Sequence, residues 1–293
     1  MLILIADAFD SSLPGVLSRH GDVTDDKSRL ADADVVLVRS KTTADRAYLD
    51  SAKNLKLIIR GGVGMDNIDI PYAESRGVIC RNTADASTTA VAELAMALII
   101  ALPNKIVMAN NALHEGKWLK KEAERTELFG KTLAILGLGR IGTAVAVRAR
   151  AFQMQVLGWH PDKPFSDFAD IRPDLEDVLS EADFVSLHMP LVDSTRGLIN
   201  KRTLAYFKDG AFLVNTSRGK IVVEEDIAEA LKSGKLGGFG TDVFHKEPPD
   251  DTPLLHAPNC ILLPHIGAST KENMLRIGYM IDRIIGDFVK GKA

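Results

Sequence analysis

The sequence predicts an α/β protein of two domains, each built on a parallel sheet. Its 293 residues exceed the size of one typical domain. Short apolar runs alternate with polar, helix-compatible segments along most of the chain, as in βαβ units. One run ends in a glycine motif, residues 137–142, that leads directly into a helical pattern.

Composition limits the classes of function. The chain is 46% hydrophobic and 26% charged, with a net charge of −3 and no basic tail, so we expect no nucleic-acid partner. The longest apolar stretch, 90–102, contains Glu93 and is too short to cross a bilayer, so we expect no membrane segment. Cys80 and Cys260 are expected to be reduced thiols, and the N-terminus lacks signal-peptide features, which favours the cytoplasm.

The first part of the chain, residues 1–98, is predicted to begin a substrate-binding domain. Arg39 and Arg60 each lie where a predicted strand ends, at the edge of a parallel sheet where ligands bind. Val63 and Gly64 belong to a glycine-rich turn whose N–H groups can hold an anion. A flexible turn and solvated arginines are the alternatives. The predicted strands are Leu2–Ala6, Val35–Val38, Leu57–Arg60 and Val78–Cys80.

The segment at about 100–130 fits neither predicted sheet. Thr88–Leu102 is predicted to be a long buried helix, and Pro103 can kink it. Beyond it, Trp118 precedes a charge-rich run, Lys120–Glu127. We predict an arm that crosses to a second subunit, with a solvated surface helix as the alternative.

The glycine motif predicts a dinucleotide site. It follows a predicted strand, Thr132–Leu136. Gly137 permits a tight turn, Gly139 lets the backbone approach a pyrophosphate, and Gly142 lets the next helix pack closely on the strand. The helix N-terminus supplies N–H groups and a partial positive charge to the phosphates. A tight turn without a ligand is the alternative.

The coenzyme preference depends on His160. A carboxylate normally binds the ribose hydroxyls at the end of the second strand. Here that strand, Gln155–Trp159, ends at His160, and Asp162 follows. An imidazole can bond a hydroxyl, but it does not repel a 2′-phosphate. NAD is therefore favoured as cofactor, and NADP remains open.

The remaining pattern continues the β/α alternation and returns to the first domain. The helix predicted over Lys271–Val289 follows the last strand of the second domain. This arrangement predicts a discontinuous substrate-binding domain, 1–98 and 267–293, and an NAD-binding domain over 99–266. The other predicted strands are Phe184–Leu187, Phe212–Val214, Leu236–Thr241 and Ile261–Leu263, with helices over Asp174–Glu181 and Glu224–Ser233.

Three polar residues lie where strands of the second domain are predicted to end: Arg218, Glu247 and His265. Arginine can bind a carboxylate through two parallel hydrogen bonds. Histidine can transfer a proton near neutral pH, and an adjacent carboxylate orients it. Hydride transfer to a 2-keto acid needs these functions. Each residue could instead serve in a loop ion pair or a cap.

A metal site is not predicted. His245 and His256 could join Glu247 around a metal ion. The closely spaced pair of histidines typical of such sites is absent.

Several motifs resemble those of the D-isomer-specific 2-hydroxyacid dehydrogenases over nearly the whole chain. The resemblance implies a Rossmann-type NAD-binding domain inserted in a flavodoxin-like substrate domain, a 2-hydroxy or 2-keto acid as small-molecule substrate, and a homodimer. The motifs are RGGVGMDNID at 60–69, VAEL at 91–94, GKTLAILGLGRIG at 130–142, SLHMPL at 186–191, NTSRG at 215–219, TDVFHKEPP at 241–249 and PHIGAST at 264–270.

The same resemblance assigns roles to individual residues. It makes Arg218, Glu247 and His265 the catalytic triad. At the ribose-binding position, His160 departs from the usual Asp. The further cofactor contacts that it implies are Arg140, Ile141, His188, Met189, Pro190, Thr216, Ser217, Asp242, Gly267 and Ala268.

The substrate is less constrained. VRSKTT at 38–43 and Arg60 resemble segments of family members in which arginines hold a phosphorylated substrate. Reduction of a small keto acid such as glyoxylate or hydroxypyruvate needs the same triad. A dinucleotide-sensing binding protein of this fold is the alternative from another class.

Overall fold

The computed structural model describes residues 1–160 and 165–292. The chain forms two compact units, Met1–Ala90 with Ala268–Ala293, and Val91–Gly267. Each unit contains one parallel sheet, with five strands in the first and seven in the second. The predicted α/β class with two parallel sheets is confirmed.

The first unit has the strand order β2-β1-β3-β4-β5, which is the flavodoxin-like order. Aspartate side chains cap two of its helices at their N-termini. Asp45 accepts a hydrogen bond from the Tyr48 N–H, and Asp69 accepts one from the Tyr72 N–H. The strands are β1 (Leu2–Ile5), β2 (Asp22–Thr24), β3 (Val35–Val38), β4 (Leu57–Arg60) and β5 (Ile79–Asn82), with helices α1 (Leu13–Leu17), α2 (Arg46–Ser51) and α3 (Ile70–Ser75).

The second unit has the order β12-β11-β10-β9-β6-β7-β8, so the order reverses between β6 and β9. Ligands of such sheets bind at this reversal, beyond the carboxyl ends of the strands. The elements are α4 (Thr88–Ala101), α5 (Ile106–His114), β6 (Thr132–Leu136), α6 (Arg140–Ala151), β7 (Gln155–Trp159), β8 (Asp170–Ile171), α7 (Leu175–Glu181), β9 (Phe184–Leu187), α8 (Lys201–Leu204), β10 (Ala211–Asn215), α9 (Glu224–Lys232), β11 (Leu236–Thr241) and β12 (Cys260–Leu262).

Helices cover both faces of each sheet, which explains why the central strands are mostly apolar. Every residue of β3 and of β9 is buried. In the second unit, α4 and α6 contribute Ile99 and Val145 to the core on one face, and α9 contributes Ile227 on the other. The last helix, α10 (Lys271–Val289), belongs to the first unit and buries Ile277, Ile281 and Ile285 there.

No bounds were predicted from the sequence for two edge strands, β2 and β8, or for the short helices α1, α2, α3, α5 and α8. Both strands have polar or very short sequences, so no apolar pattern marks them. Within 1–160 and 165–292, no single helix has the length and apolar character to cross a membrane. α4 and α5 pass that test only as a pair bent by 67°.

Candidate active site

The predicted cofactor and catalytic residues of the second unit lie in loops at one edge of its sheet. The seven strands run parallel, so their carboxyl ends share that edge. Six strands contribute: residues 137–142 follow β6, His160 follows β7, 188–190 follow β9, 216–218 follow β10, Asp242 and Glu247 follow β11, and His265 and Gly267 follow β12.

The glycine turn has the form that a pyrophosphate needs. Gly137 has a φ of +99°, and a side chain there would lie 2.7 Å from the carbonyl oxygen of His188. A Cβ at Gly142 would overlap the carbonyl of Gly137, whereas nothing lies within 4 Å of the Cβ position at Gly139. Gly139 caps α6 without a side-chain bond. The turn therefore has no room for a side chain at Gly137 and Gly142, where it packs on the protein. At Gly139 the space is free, so an anion can approach the backbone there.

The loop after β10 carries a buried hydroxyl suited to a ligand. Thr216 Oγ1 is buried and has no hydrogen-bond partner among the described residues. Next to it, Asn215 accepts bonds from the Ser217 N–H at 3.0 Å and the Ser217 hydroxyl at 2.8 Å, and it donates to the carbonyl of Arg218 at 2.9 Å. Asn215 was not predicted. Its amide fixes the loop that presents Thr216 and Arg218.

The residues after β9 form a mostly apolar wall behind the glycine turn. Met189 is buried, and its Cγ would lie 2.8 Å from a Cβ at Gly137. His188 lies 2.9 Å from the hydroxyl of Ser186, and desolvation lowers its pKa to about 4. The imidazole is therefore neutral near pH 7, while Pro190 is exposed. Together with the glycine turn and Thr216, this wall fits a dinucleotide.

His160 directly follows β7 and is partly buried. This is the carboxyl end of the strand next to the glycine turn, where ribose recognition occurs in such sheets. Asp162, which follows it in the sequence, lies outside the described residues.

His265 and Glu247 form a close pair. His265 Nδ1 lies 2.6 Å from Glu247 Oε2, and the Phe244 N–H donates to Glu247 Oε1 at 3.2 Å. Burial acts to raise the pKa of Glu247, but the hydrogen bond and charge of His265 outweigh it, helped by Phe244 and by Arg218, and the pKa is lowered. His265 has a φ of +54°, a region that few residues other than glycine adopt.

Arg218 completes this group. Its guanidinium donates to the carbonyl of Ser217 at 2.7 Å, and its charge lowers the pKa of Glu247. A guanidinium carries five N–H donors, so it can keep this contact and still bind an anion. The structure thus brings the three predicted catalytic side chains to one edge of the sheet.

Asp242 holds the backbone beside His265. Its two carboxylate oxygens accept bonds from the N–H groups of Ile266 and Gly267, both at 2.7 Å. Burial raises its pKa, although these N–H groups oppose the rise. Asp242 was predicted as a cofactor contact, and its contacts within the chain also orient the turn that follows His265.

The predicted substrate residues lie at the corresponding edge of the first sheet. Arg39 follows β3, and Arg60 is the last residue of β4, which pairs with β3. A Cβ at Gly61 would lie 3.4 Å from Arg39 Cγ, and one at Gly62 would overlap the guanidinium of Arg60. Both arginine side chains therefore lie against the same glycine turn, which continues into Val63 and Gly64.

Three residues that were not predicted hold these segments in place. Asp7 accepts bonds from the N–H groups of Arg39 at 2.6 Å and Thr42 at 3.1 Å. Asn67 donates to the carbonyls of the same two residues, both at 2.7 Å. Asn82 donates to the carbonyl of Val63 at 2.6 Å. Asn67 is part of the GGVGMDNID motif, but no sequence signal marks Asp7.

The Arg39 guanidinium is partly desolvated. Burial lowers its pKa from the ordinary value, and the charge of Asp7 opposes that change. Arginine keeps its proton in proteins, so the side chain is a cation whose charge is poorly screened by water. Such a cation attracts an anionic group strongly.

No group of three or more His, Cys, Asp or Glu side chains within 1–160 and 165–292 is arranged to hold a metal ion. His245 bonds instead to the carbonyl of Val222, at 2.7 Å.

Comparison with known proteins decides the family. The profile described as "D-isomer specific 2-hydroxyacid dehydrogenase, NAD binding domain" matches residues 96–267. A hydroxypyruvate reductase of Thermotoga maritima is 44% identical over 266 residues, covering 90% of this chain and 87% of that protein. The chain belongs to the D-isomer-specific 2-hydroxyacid dehydrogenase family. It is thereby an NAD(P)-dependent oxidoreductase, as predicted.

Other members of the family extend the similarity over the whole chain. A D-3-phosphoglycerate dehydrogenase of Methanocaldococcus jannaschii is 39% identical over 302 residues, covering 99% of this chain but only 58% of that protein. The crystal structure of the TT0316 protein from Thermus thermophilus superposes with a TM-score of 0.90 at 33% identity, covering 100% of this chain and 98% of that one. The chain thus spans little more than half of the phosphoglycerate dehydrogenase.

Proposed function

We propose that this chain is an NAD-dependent D-3-phosphoglycerate dehydrogenase, which oxidises 3-phosphoglycerate to 3-phosphohydroxypyruvate for serine biosynthesis. The observation that carries the proposal is the placement of Arg39 and Arg60 against one glycine turn of the first unit. A substrate with a carboxylate and a phosphate needs two cationic sites. Arg218 serves the carboxylate, and Arg39 and Arg60, with the N–H groups of Val63 and Gly64, serve the second anionic end.

In this proposal His265 moves the proton. Because Glu247 occupies Nδ1, the neutral imidazole carries its proton there and leaves Nε2 to accept the proton of the substrate hydroxyl. Glu247 stabilises the imidazolium that results. Arg218 fixes the carboxylate of the substrate and so orients the reacting carbon. A nicotinamide coenzyme held at the glycine turn would supply the hydride acceptor for this oxidation.

The coenzyme is held by the glycine turn and its neighbours. Gly137, Gly139, Arg140, Ile141 and Gly142 form the pyrophosphate site at the start of α6. His160 is assigned to the ribose, because an imidazole can bond a hydroxyl there. We favour NAD as the cofactor, and NADP stays open because an imidazole does not repel a 2′-phosphate. The remaining contacts are assigned to His188, Met189, Pro190, Thr216, Ser217, Asp242, Gly267 and Ala268.

The chain is further proposed to act as a homodimer through the segment at about 100–130. Large apolar side chains of that segment are exposed, among them Trp118 at 77% and Phe129 at 66%. Several large apolar side chains exposed on one segment support its use as a protein interface. Ile106, Val107 and Leu113 are exposed as well.

Reduction of hydroxypyruvate or glyoxylate is the second candidate function. The specific observation in its favour is the 44% identity with the Thermotoga maritima hydroxypyruvate reductase. These substrates lack a phosphate, so they need the triad but not the paired arginines of the first unit.

Steady-state turnover with a panel of acids and both coenzymes tests these proposals. The panel contains 3-phosphoglycerate, phosphohydroxypyruvate, hydroxypyruvate, glyoxylate and pyruvate. A higher kcat/KM for the phosphorylated pair supports the first proposal, and a higher value for hydroxypyruvate or glyoxylate supports the second. Tight NADH binding without turnover of any acid would contradict both and indicate a dinucleotide-sensing protein.

A further inference from the structure

A buried glutamate outside the predicted site is bonded to the catalytic loop. Glu224, the first residue of α9, is 6% exposed, whereas Glu225 beside it is exposed. Glu224 Oε1 accepts a bond from the His245 N–H at 2.9 Å, and Oε2 accepts one from the Thr252 hydroxyl at 2.6 Å. One carboxylate therefore holds two points that are seven residues apart in the chain.

Glu247 lies between those two points. The segment 245–252 is fastened at both ends to the start of α9, and His245 Nε2 adds a bond to the carbonyl of Val222, at 2.7 Å. The bonds of Glu224 thus hold the ends of the segment, and Glu247 is carried between them. The position of the Glu247 carboxylate opposite His265 Nδ1 depends on how firmly those ends are held.

We propose that Glu224 is a positioning residue that acts through Glu247. Its two hydrogen bonds fix the loop 245–252, so that Glu247 meets His265 at hydrogen-bond distance and holds the imidazole in its reactive orientation. A buried carboxylate is costly unless its oxygens are satisfied, and here both bonds come from the one loop. The proposal rests on the proposed function, because it assigns the purpose of the Glu247–His265 pair to proton transfer.

Four variants separate positioning from general stability. Glu224→Ala removes both bonds, while Glu224→Gln can keep both, since a hydroxyl can accept from an amide as well as donate. Thr252→Val changes the volume little and removes the bond to Glu224, together with the weaker cap bond of 3.4 Å that Thr252 Oγ1 accepts from the Leu254 N–H; Thr252→Ser retains both. Glu225→Ala, in the same helical turn but exposed, is the matched control.

We expect Glu224→Ala to lower kcat by about tenfold to a hundredfold, the order expected for a misplaced catalytic group. The KM for NAD should stay unchanged, because the glycine turn is untouched. For keto-acid reduction, which needs the imidazolium, the alkaline limb of the pH profile should move to lower pH. Thr252→Val should move it the same way and by less. Glu224→Gln, Thr252→Ser and Glu225→Ala should resemble the wild type.

The deciding measurement compares Glu224→Ala with Glu247→Gln and with the double variant. If Glu224 acts through Glu247, its loss adds little once Glu247 is neutral, so the two effects on kcat are not additive. NMR titration of the His265 ring in the coenzyme-free protein gives a readout independent of turnover. Its midpoint should shift in Glu224→Ala towards that of Glu247→Gln.

A lowered Tm with an unchanged His265 titration and unchanged kcat would overturn the proposal and leave Glu224 a purely structural residue. Should Glu224→Ala fail to fold, the same comparison between Thr252→Val and Thr252→Ser decides the matter. Lack of turnover in the wild type would refute the proposed function alone, because the NMR titration still tests whether Glu224 controls the Glu247–His265 pair.

Discussion

Gly219 packs directly against the backbone of Phe244, and a Cβ at Gly219 would overlap the carbonyl of Phe244. This contact joins the loop that ends in Arg218 to the loop that leads to Glu247. No other residue type permits such an approach, so the spacing of two proposed catalytic side chains, Arg218 and Glu247, depends on the absence of a Cβ atom at Gly219.

Gly219→Ala should therefore lower both activity and stability. Overpacking of this kind typically costs about 1–3 kcal/mol of the free energy of unfolding. Displacing Arg218 from Glu247 should also reduce kcat/KM by about tenfold or more. Thermal denaturation and steady-state kinetics measure the two effects. Gly15→Ala is the control, because nothing lies within 4 Å of that Cβ position. Wild-type kinetics in Gly219→Ala would show that the loops can separate without consequence.

His265→Asn should remove proton transfer with little backbone strain. Asparagine tolerates the positive φ of this position better than alanine does. Loss of a general acid or base typically reduces kcat by about a hundredfold to ten-thousandfold. NADH binding, followed by fluorescence, should persist. His256→Asn replaces an exposed histidine and serves as control. Turnover near the wild-type rate in His265→Asn would mean that another group transfers the proton.

Arg60→Ala should discriminate between phosphorylated and small substrates. A hydrogen bond to a charged group contributes about 1.5–3 kcal/mol, or about tenfold to a hundredfold in affinity. The kcat/KM for phosphohydroxypyruvate should fall by that order, and the value for glyoxylate should change little. Arg81→Ala, an exposed arginine on the neighbouring strand β5, is the control. An equal loss for every substrate would argue against a phosphate site and favour the small keto-acid reductase.

His188 should make stability depend on pH. Desolvation lowers its pKa from 6.5 to about 4, so the unfolded chain takes up a proton at a pH where the folded protein does not. This contribution to stability is complete above about pH 6.5 and is lost as the pH falls towards 4, at up to about 1.4 kcal/mol per pH unit. His188→Gln should reduce the change of the thermal denaturation midpoint with pH between about pH 6.5 and pH 4. An identical pH dependence in the wild type and His188→Gln would contradict the assignment, with His256→Gln as control.

The central strands were predicted well from the sequence because buried strands consist mainly of apolar residues. Leu57–Arg60 and Phe184–Leu187 have the observed bounds, since buried parallel strands are mostly apolar, and three of the four residues in each of these strands are apolar. The edge strands Asp22–Thr24 and Asp170–Ile171 were not predicted. An edge strand forms by hydrogen bonding to one neighbouring strand, here β1 and β7, and it does not require an apolar sequence.

The position of some candidate site residues at strand ends was also readable from the sequence. Arg218 and His265 stand where strands end, and that position is readable from the chain. Glu224 is not, because in sequence it matches its exposed neighbour Glu225. Only its contacts with His245 and Thr252, more than twenty residues away, distinguish the two. The roles of Asp7 and Asn215 likewise become visible only in the structure, because each role consists of hydrogen bonds to backbone groups.

The discontinuity of the first unit has a consequence for the nascent chain on the ribosome. Residues 91–267 form a contiguous unit and can complete their core as soon as they have emerged. The first unit begins earlier in the chain yet stays unfinished, because Ile277, Ile281 and Ile285 of α10 fill its core and are translated after residues 91–267. Until α10 is made, the side chains of Ile3, Leu37 and neighbouring residues lack part of their apolar cover. We therefore expect the second unit to complete its core before the first one, although the first one begins earlier in the chain.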